Sequence, residues 1–310
     1  MKNSKQKIIP NLWFDTEAED AVGFYTSVFG NSKINLESRY PEAGQEIHGK
    51  KAGTIMTIDF ELEGYQLLAL NGGPYFKFNP SISLFVILKD EEQINQIWNQ
   101  LLSGGKPLMP LDAYDWSPKY GWLQDRFGLY WQLMIDDSGR NPAQKISPLL
   151  FFTGSSHGKA EKAVKFYTSV FEDSNIEGIL KYEEGDHNDY ALGTVKHSQF
   201  QLQGETFMAM DSGEKNDFPF NEAISFVVQC KDQQEIDKYW EQLSEGGDPQ
   251  AQQCGWLKDK FGISWQIVPE GMGQIMTDPD KEKANRAMEA MLKMKKIDVD
   301  VLKNAGQKSY

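Results

Sequence analysis

The sequence predicts an α+β protein made of two tandem copies of one small domain, each built from two βαβββ units. Similarity between the two halves carries this prediction. The distance along the chain between matching motifs is the length of a whole domain and is far longer than one solenoid repeat. A polar, turn-rich segment separates the halves. The matching pairs are FYTSVF at 24–29 and 166–171, SISLFVI at 81–87 and AISFVVQ at 223–229, and GWLQDRFGLYWQLM at 121–134 and GWLKDKFGISWQIV at 255–268.

The first half of a copy reads as strand, helix and hairpin. A short strand over Ile8–Phe14 precedes a helix whose apolar residues recur with the i, i+3, i+4, i+7 spacing of one buried face. Thr16 and Glu19 are spaced as a capping box, and Gly30 suits the helix end. Alternation then predicts a strand over Thr54–Leu62, which the turn at Glu63-Gly64 returns into YQLLAL. The apolar helix positions are Ala18, Ala21, Val22, Tyr25, Val28 and Phe29.

The second half repeats the pattern. An apolar strand over Ile82–Leu88 leads into a helix that contains Ile94, Ile97, Trp98, Leu101 and Leu102 on one face. Asp90 with Gln93, and Asp232 with Glu235 in the second copy, are its start signals. Closing strands are predicted over Gly121–Gln124 and Leu129–Ile135, and the segment PLDAYDWSPKY between helix and closing strands is assigned to an extra loop of the first copy.

These signals divide the chain into four parts. We predict an N-terminal domain over 5–135, a linker over 136–142, a C-terminal domain over 143–270 and a helical tail over 271–310. Within the tail, Pro279–Lys296 is amphipathic and Met-rich, which indicates packing against the second copy or its partner.

Composition limits the class of function. A net charge of −13 without an unmatched basic run argues against nucleic-acid binding. No apolar stretch has the length of a membrane span, the N-terminus lacks an apolar signal core, and two cysteines do not form a disulfide framework. We therefore expect a cytoplasmic protein with neither nucleic-acid nor membrane partners.

This order of elements, together with these sequence motifs, resembles the vicinal-oxygen-chelate superfamily of glyoxalase I, bleomycin-resistance proteins and extradiol dioxygenases. More specifically, it resembles the PhnB-like branch, often labelled 3-demethylubiquinone-9 3-methyltransferase. The resemblance implies tandem glyoxalase/bleomycin-resistance-like domains and a ligand cavity lined by a sheet. Because single-copy relatives commonly form homodimers, it also implies an intramolecular pseudo-dimer of the two copies in a protein that is itself monomeric. The residues that carry it are 12–34, 68–79, 220–247 and 254–269, with the tail at 278–305.

The methyltransferase label has no support in the residues. A cofactor-binding methyltransferase would need a doubly wound sheet with a Gly-rich loop after its first strand. The first strand here ends in Phe14-Asp15-Thr16-Glu17, which contains no glycine. We therefore predict no organic cofactor.

Metalloenzymes of the superfamily hold a divalent ion with His and Glu side chains from facing strands, and such sites need three or four converging ligands. The resemblance places other residue types at those positions, and only Asp211 could be a ligand. We therefore predict no metal. The positions are Ile9 or Asn11 and Ser147 or Leu149 on the first strand, Asn71 and Asp211 on the hairpin, Ser81 and Ala223 on the fifth strand, and Gln132 and Gln266 on the last.

Three residues of the second copy are weak catalytic candidates: His197, Asp211 and Cys254. His197 alternates with Phe200 and Leu202 in such a way that it faces the open side of its sheet, where it could act as a general base. Cys254 and Cys230 have no counterparts in the first copy, and a buried, inert thiol is the simpler interpretation of both. His187, within EEGDHND, could attract a cation, but a solvated loop residue is the simpler alternative.

Recurring aromatic and Gln residues suggest a ligand cavity instead. Alternation places Trp131 against a helix and its neighbour Gln132 on the opposite face, whereas the tryptophans of the GW words, Trp122 and Trp256, could be core or cavity wall. Three interpretations stay open: metal-free binding of a small organic molecule, an enzyme of the lyase, transferase or dioxygenase type that acts from the second copy, or a scaffold that binds no ligand. The candidate ligand-binding residues are Trp13, Ser83, Trp122, Gln132, Phe151, Ser225, Trp256 and Gln266.

Overall fold

The computed structural model describes residues 6–136, 144–186, 192–212 and 217–305 and contains two eight-stranded sheets with helices. The strands are β1 Ile8–Phe14, β2 Lys33–Arg39, β3 Ile55–Leu62, β4 Tyr65–Asn71, β5 Ile82–Leu88, β6 Lys106–Tyr114, β7 Ser117–Gln124, β8 Tyr130–Ile135, β9 Ile146–Phe152, β10 Asn175–Lys181, β11 Val195–Leu202, β12 Glu205–Asp211, β13 Ile224–Cys230, β14 Asp248–Gln253, β15 Trp256–Lys258 and β16 Ser264–Pro269. The helices are α1 Ala18–Val28, α2 Gln45–His48, α3 Glu91–Leu102, α4 Ala160–Val170, α5 Gln233–Ser244, α6 Met272–Met276, α7 Lys281–Leu292 and α8 Val299–Ala305.

Each sheet takes half of its strands from each copy. The first sheet has the order β14-β15-β16-β13-β1-β4-β3-β2, and the second sheet has the order β10-β11-β12-β9-β5-β8-β7-β6. The copies join through antiparallel pairs, with Asn11 opposite Ser225 in the first sheet and Leu149 opposite Ser83 in the second. Any site on the middle of a sheet is therefore built by both copies.

Helices α1, α3, α4 and α5 lie between the two sheets. Helix α1 packs on β3 and β4 of the first sheet, while the ring of its Tyr25 lies 5.3 Å from that of Trp131 in β8 of the second sheet. Helix α4 packs on β11 and β12 of the second sheet, and its Tyr167 contacts Trp265 in β16 of the first. The apolar faces of both sheets and these helices form one continuous core. Burial of those faces leaves the opposite face of each sheet for other uses.

A buried aspartate in each copy explains why the FYTSVF motif and the motif of the closing strands recur together. Asp259, in the turn after β15, accepts hydrogen bonds from the Tyr167 hydroxyl (2.7 Å) and the Trp265 indole N–H (2.8 Å), as well as from two backbone amides of its own turn. Asp125 binds Tyr25 and Trp131 in the same way in the first copy. Each aspartate thus links the FYTSVF helix to the closing strands, and burial raises the pKa of both carboxyl groups.

The helix starts agree with the sequence in two cases and differ in one. The carboxylates of Asp90 and Asp232 accept hydrogen bonds from the amides of Gln93 and Glu235, as predicted for α3 and α5. The capping box predicted at Thr16 is wrong, because α1 has no side-chain cap from its own residues. Instead the side-chain oxygen of Asn71, at the end of β4, accepts from the Ala18 amide at 2.9 Å. This cap comes from a strand distant in sequence, which local spacing could not predict.

Two edge strands were absent from the sequence prediction. The segment assigned to an extra loop forms most of the long β6–β7 hairpin, which pairs Asp112 with Tyr120 and Tyr114 with Ser117. Strand β2 is exposed along almost its whole length, so it shows no apolar alternation. Edge strands are paired on one side only and need no buried face, so periodicity does not reveal them.

The tail folds as three helices instead of the single one predicted over Pro279–Lys296. The main helix, α7, begins at Lys281 because the Asp280 carboxylate caps it, and it ends at Leu292. The tail contacts both copies. The amide of Cys254 donates to the Met294 carbonyl, and the amide of Ala43 donates to the Asn285 side chain. No helix in the described part of the chain is long and apolar enough to cross a membrane.

Candidate functional site

The candidate site lies on the open face of a sheet, by which we mean the face that α1, α3, α4 and α5 do not cover. The predicted ligand-binding residues divide equally between the two open faces. The first sheet carries Trp13, Ser225, Trp256 and Gln266, and the second carries Ser83, Trp122, Gln132 and Phe151. In each set an aromatic pair spans the copies: Trp13 meets Trp256 at 5.9 Å, and Trp122 meets Phe151 at 5.6 Å.

An apolar cluster covers the open face of the second sheet. Four of its members, Phe85, Tyr120, Leu149 and Met208, are buried. Around them lie half-buried side chains from both copies, none of them charged. Four methionines in one cluster give it an unusually deformable surface, because a thioether chain can adopt several shapes at little cost. The half-buried members are Ile87, Met109, Tyr114, Trp122, Met134, Phe151 and Met210.

A chain of neutral hydrogen bonds crosses this apolar cluster. The Tyr120 hydroxyl donates to the Gln132 side-chain oxygen at 2.8 Å, and the Gln132 amide donates to the Ser83 hydroxyl at 2.9 Å. The indole N–H of Trp122 is buried with no hydrogen-bond partner among the described residues. Gln132 faces the open side and Trp131 the helices, as alternation predicted. Trp122, the tryptophan of the GW motif in the first copy, thus lines the apolar cluster.

His197 lies beside the apolar cluster, on the open face, as the sequence predicted. It borders an open depression of about 400 Å³ together with Glu177, Leu180 and Gln199. Gln199 pairs directly with Met208, so the depression lies next to the cluster. Burial lowers the pKa of His197, which keeps the imidazole neutral and able to accept a proton near neutral pH.

The other two catalytic candidates, Asp211 and Cys254, lie in surroundings that indicate structural roles. Asp211 is fully buried on the helix side, where its carboxylate accepts from the amides of Gly158 (2.7 Å), Ala160 (3.3 Å) and Val195 (2.9 Å). The Asp211 side chain therefore points away from both open faces, which supports a structural role over the catalytic or metal-binding role suggested by the sequence. The turn of Cys254 lies under the tail, and burial raises the pKa of its thiol. Burial likewise raises the pKa of Cys230 to about 12, so burial favours the protonated, less nucleophilic form of both thiols.

The tail covers the open face of the first sheet. Met272, at the start of α6, packs against an apolar group formed by Ile9, Val227 and Val268. Gly273 follows it and lies against Leu36 of β2, so that a side chain at this glycine would touch the leucine. The two open faces are therefore unlike: α6 occupies the first, whereas the described residues leave the second without such a cover.

The residues on the open faces do not fit the metal site of the superfamily. Gln266 donates to the Ser225 hydroxyl at 3.0 Å in the first sheet, and Gln132 donates to Ser83 in the second. Amides and hydroxyls that bond to one another are poor ligands for Zn²⁺ and similar ions, which prefer imidazole, thiolate or carboxylate. Within the described ranges, no three His, Cys, Asp or Glu side chains converge as ligands. His187 lies outside these ranges.

Sequence reasoning missed several members of the apolar cluster. Met208 and Met210 lie on β12 in register with Leu149 and Phe151 of β9, so their position depends on pairing between distant strands. Tyr114 lies in the segment assigned to a loop. The available signal was the alternation of ETFMAMD, in which the two methionines are out of phase with Phe207 and Asp211.

Together, the mixed eight-stranded sheets, the helices between them and the paired open faces define a tandem glyoxalase-like fold. Glyoxalase I from Zea mays shares this fold at 12% identity, with 86% of this chain and 92% of that chain covered and a TM-score of 0.54. A PhnB protein from Bacillus cereus is 39% identical over 42% of this chain and 100% of its own, with a TM-score of 0.39. A comparison with curated proteins gave no match.

The family follows from the sequence match itself. The sequence model described as 3-demethylubiquinone-9 3-methyltransferase matches residues 6–134 and again residues 144–268. The chain belongs to this family, in two tandem copies. The resemblance to PhnB-like proteins noted from the sequence is thereby confirmed.

Proposed function

We propose that this protein binds one small apolar organic molecule per chain, without a metal, on the open face of the second sheet. The observation that carries the proposal is the apolar cluster around Phe85, Tyr120, Leu149 and Met208. Ligand sites in proteins are mostly apolar with a few well-placed polar groups, and the Tyr120–Gln132–Ser83 chain supplies those groups here. The methyltransferase named in the family description is not proposed, because β1 is not followed by a Gly-rich loop.

The unlike open faces support a single site. On the first sheet, Met272 already packs against a buried apolar group of the open face. On the second sheet, the wall is made of half-buried residues that a ligand could cover further. Burial of apolar surface then supplies the main driving force for binding.

A titration with the neutral dye Nile red, whose fluorescence rises in apolar surroundings, tests this proposal. Met210→Arg places a charge on the second open face and should weaken Nile red binding at least tenfold, because an apolar ligand would have to desolvate that charge. Met210 is half-buried, so the variant should fold.

Leu70→Arg is the matched control for this titration, since Leu70 is equally half-buried at the corresponding position of β4 in the first sheet. It should leave Nile red affinity within twofold of the wild type. Equal affinities in the wild type and Met210→Arg, with both folded by circular dichroism, would refute the location of the site.

A second candidate function is catalysis from the second copy with His197 as general base. It is favoured by the position of a neutral imidazole in the depression next to the apolar cluster. Turnover of a bound compound by the wild type and not by folded His197→Gln would establish this function in place of simple binding.

A further inference from the structure

The β6–β7 hairpin of the first copy differs from its counterpart in the second. It extends over Lys106–Tyr114 and Ser117–Gln124, whereas β14 and β15 extend over Asp248–Gln253 and Trp256–Lys258. The hairpin carries Tyr114, Trp116 and Tyr120. In the second copy Cys254 stands in place of Tyr120, and the tail covers that turn. The hairpin therefore gives the second sheet three aromatic side chains that have no aromatic counterpart in the shorter β14–β15 hairpin of the first sheet.

The three rings form one ordered group. Trp116 and Tyr114 are stacked, with centroids 5.0 Å apart and planes 22° apart. Both meet Tyr120 edge-on, each at 5.7 Å. The Tyr114 hydroxyl donates to the Pro110 carbonyl at 3.0 Å, and the Ser117 hydroxyl donates to the Lys119 and Ile135 carbonyls, which fixes the turn after Trp116.

This group connects solvent to the proposed site. The Trp116 side chain is 59% exposed, which is unusual for a tryptophan whose ring is held in place by other side chains. Tyr114 packs against the apolar cluster, and Tyr120 is a buried member of it whose hydroxyl begins the chain to Gln132 and Ser83. A ligand that entered along these three rings would pass from an exposed ring to the neutral polar centre.

Charge around the three rings limits the ligand. The faces of aromatic rings are electronegative, and the hairpin also carries Asp112, which pairs with Tyr120, and Asp115, which precedes Trp116 in the sequence. Its nearby cation, Lys119, forms an ion pair with Glu91 at 2.6 Å. An anionic ring would be repelled, whereas a neutral or positively charged planar ring would be attracted.

We infer that Tyr114, Trp116 and Tyr120 form a stacking subsite for a planar aromatic ring, neutral or cationic, of the molecule bound on the second sheet. This inference rests on the proposed function and names the class of its ligand. Trp116 offers the exposed face on which the ring stacks, and Tyr120 connects the subsite to the apolar cluster.

Binding of proflavine, a planar aromatic cation, tests the subsite. Trp116→Leu keeps an apolar side chain but removes the ring, and should weaken proflavine binding about fivefold, the size expected for one stacking contact. Trp116→Phe should recover part of the loss. Tyr75→Leu is the matched control, because Tyr75 is an exposed aromatic (76%) on the loop after β4 of the first sheet. It should leave the affinity unchanged.

The outcomes separate the two proposals. Absence of saturable proflavine binding, or equal weakening by Trp116→Leu and Tyr75→Leu, would overturn the stacking subsite. The proposed function would still stand if Met210→Arg abolished Nile red binding. Conversely, proflavine binding that depends on Trp116, together with Nile red binding that is unchanged in Met210→Arg, would place a stacking site on the hairpin alone and refute the site on the sheet.

Discussion

Replacement of Asp259 by alanine should lower the free energy of unfolding by about 3–5 kcal/mol, because it leaves four buried donors without an acceptor. These donors are the Tyr167 hydroxyl, the Trp265 indole and the amides of Phe261 and Ile263. Urea denaturation followed by circular dichroism measures the loss. Asn at this position should also be destabilising, since its amide group cannot accept the bonds that the second carboxylate oxygen accepts.

Two comparisons test the explanation of the Asp259 effect. Tyr167→Phe removes one of the four donors and its bond, so it should cost only about 1 kcal/mol. Asp125→Ala should resemble Asp259→Ala, because Asp125 accepts from Tyr25 and Trp131 with the same geometry. A loss below about 1 kcal/mol for both alanine variants would show that these carboxylates do not join the helices to the sheets.

Glu205→Gln should stabilise the protein above neutral pH by roughly 2 kcal/mol and leave it little changed at pH 4. Burial at the start of β12 raises the pKa of Glu205 from 4.5 to about 7. A carboxyl group with a raised pKa contributes stability that is fully present below pH 4.5 and is lost as the pH rises through 7. The neutral amide of Gln has no charge to bury, so this part of the pH dependence should disappear.

Denaturation midpoints at pH 4.5 and pH 8 measure the effect of Glu205. The difference between the two midpoints should shrink in Glu205→Gln, whereas Glu241→Gln, on the exposed side of α5, should follow the wild type. Asp125 and Asp259 also have raised pKa values, so the wild type keeps some loss of stability with rising pH in either case. An unchanged difference in Glu205→Gln would contradict the assignment.

The sequence predicted the elements of the fold far better than their partners. Repeated sequence motifs located both copies, and alternation correctly placed Trp131 toward the helices and Gln132 toward the open face. Alternation says which face a residue occupies, not which strand lies beside it. Alternation therefore could not predict that β1 pairs with β13 and β5 with β9. This pairing distributes each copy over both sheets.

The candidate site shows the same limit. Asp211 was considered as a ligand because of its residue type, although its phase with Phe207 and Ala209 already placed it on the helix side. The difference between the two open faces depends on where α6 lies. No local pattern in the tail indicates that Met272 packs against Ile9 and Val268.

The most direct test of the proposed binding site is the number of Nile red molecules bound per chain, counted by native mass spectrometry before and after treatment with EDTA. We expect one molecule per chain in both cases, because α6 occupies the first open face and the second holds its ligand through apolar contacts and neutral hydrogen bonds. Two molecules per chain, or binding that is lost with EDTA and returns with a divalent metal, would contradict a single metal-free site.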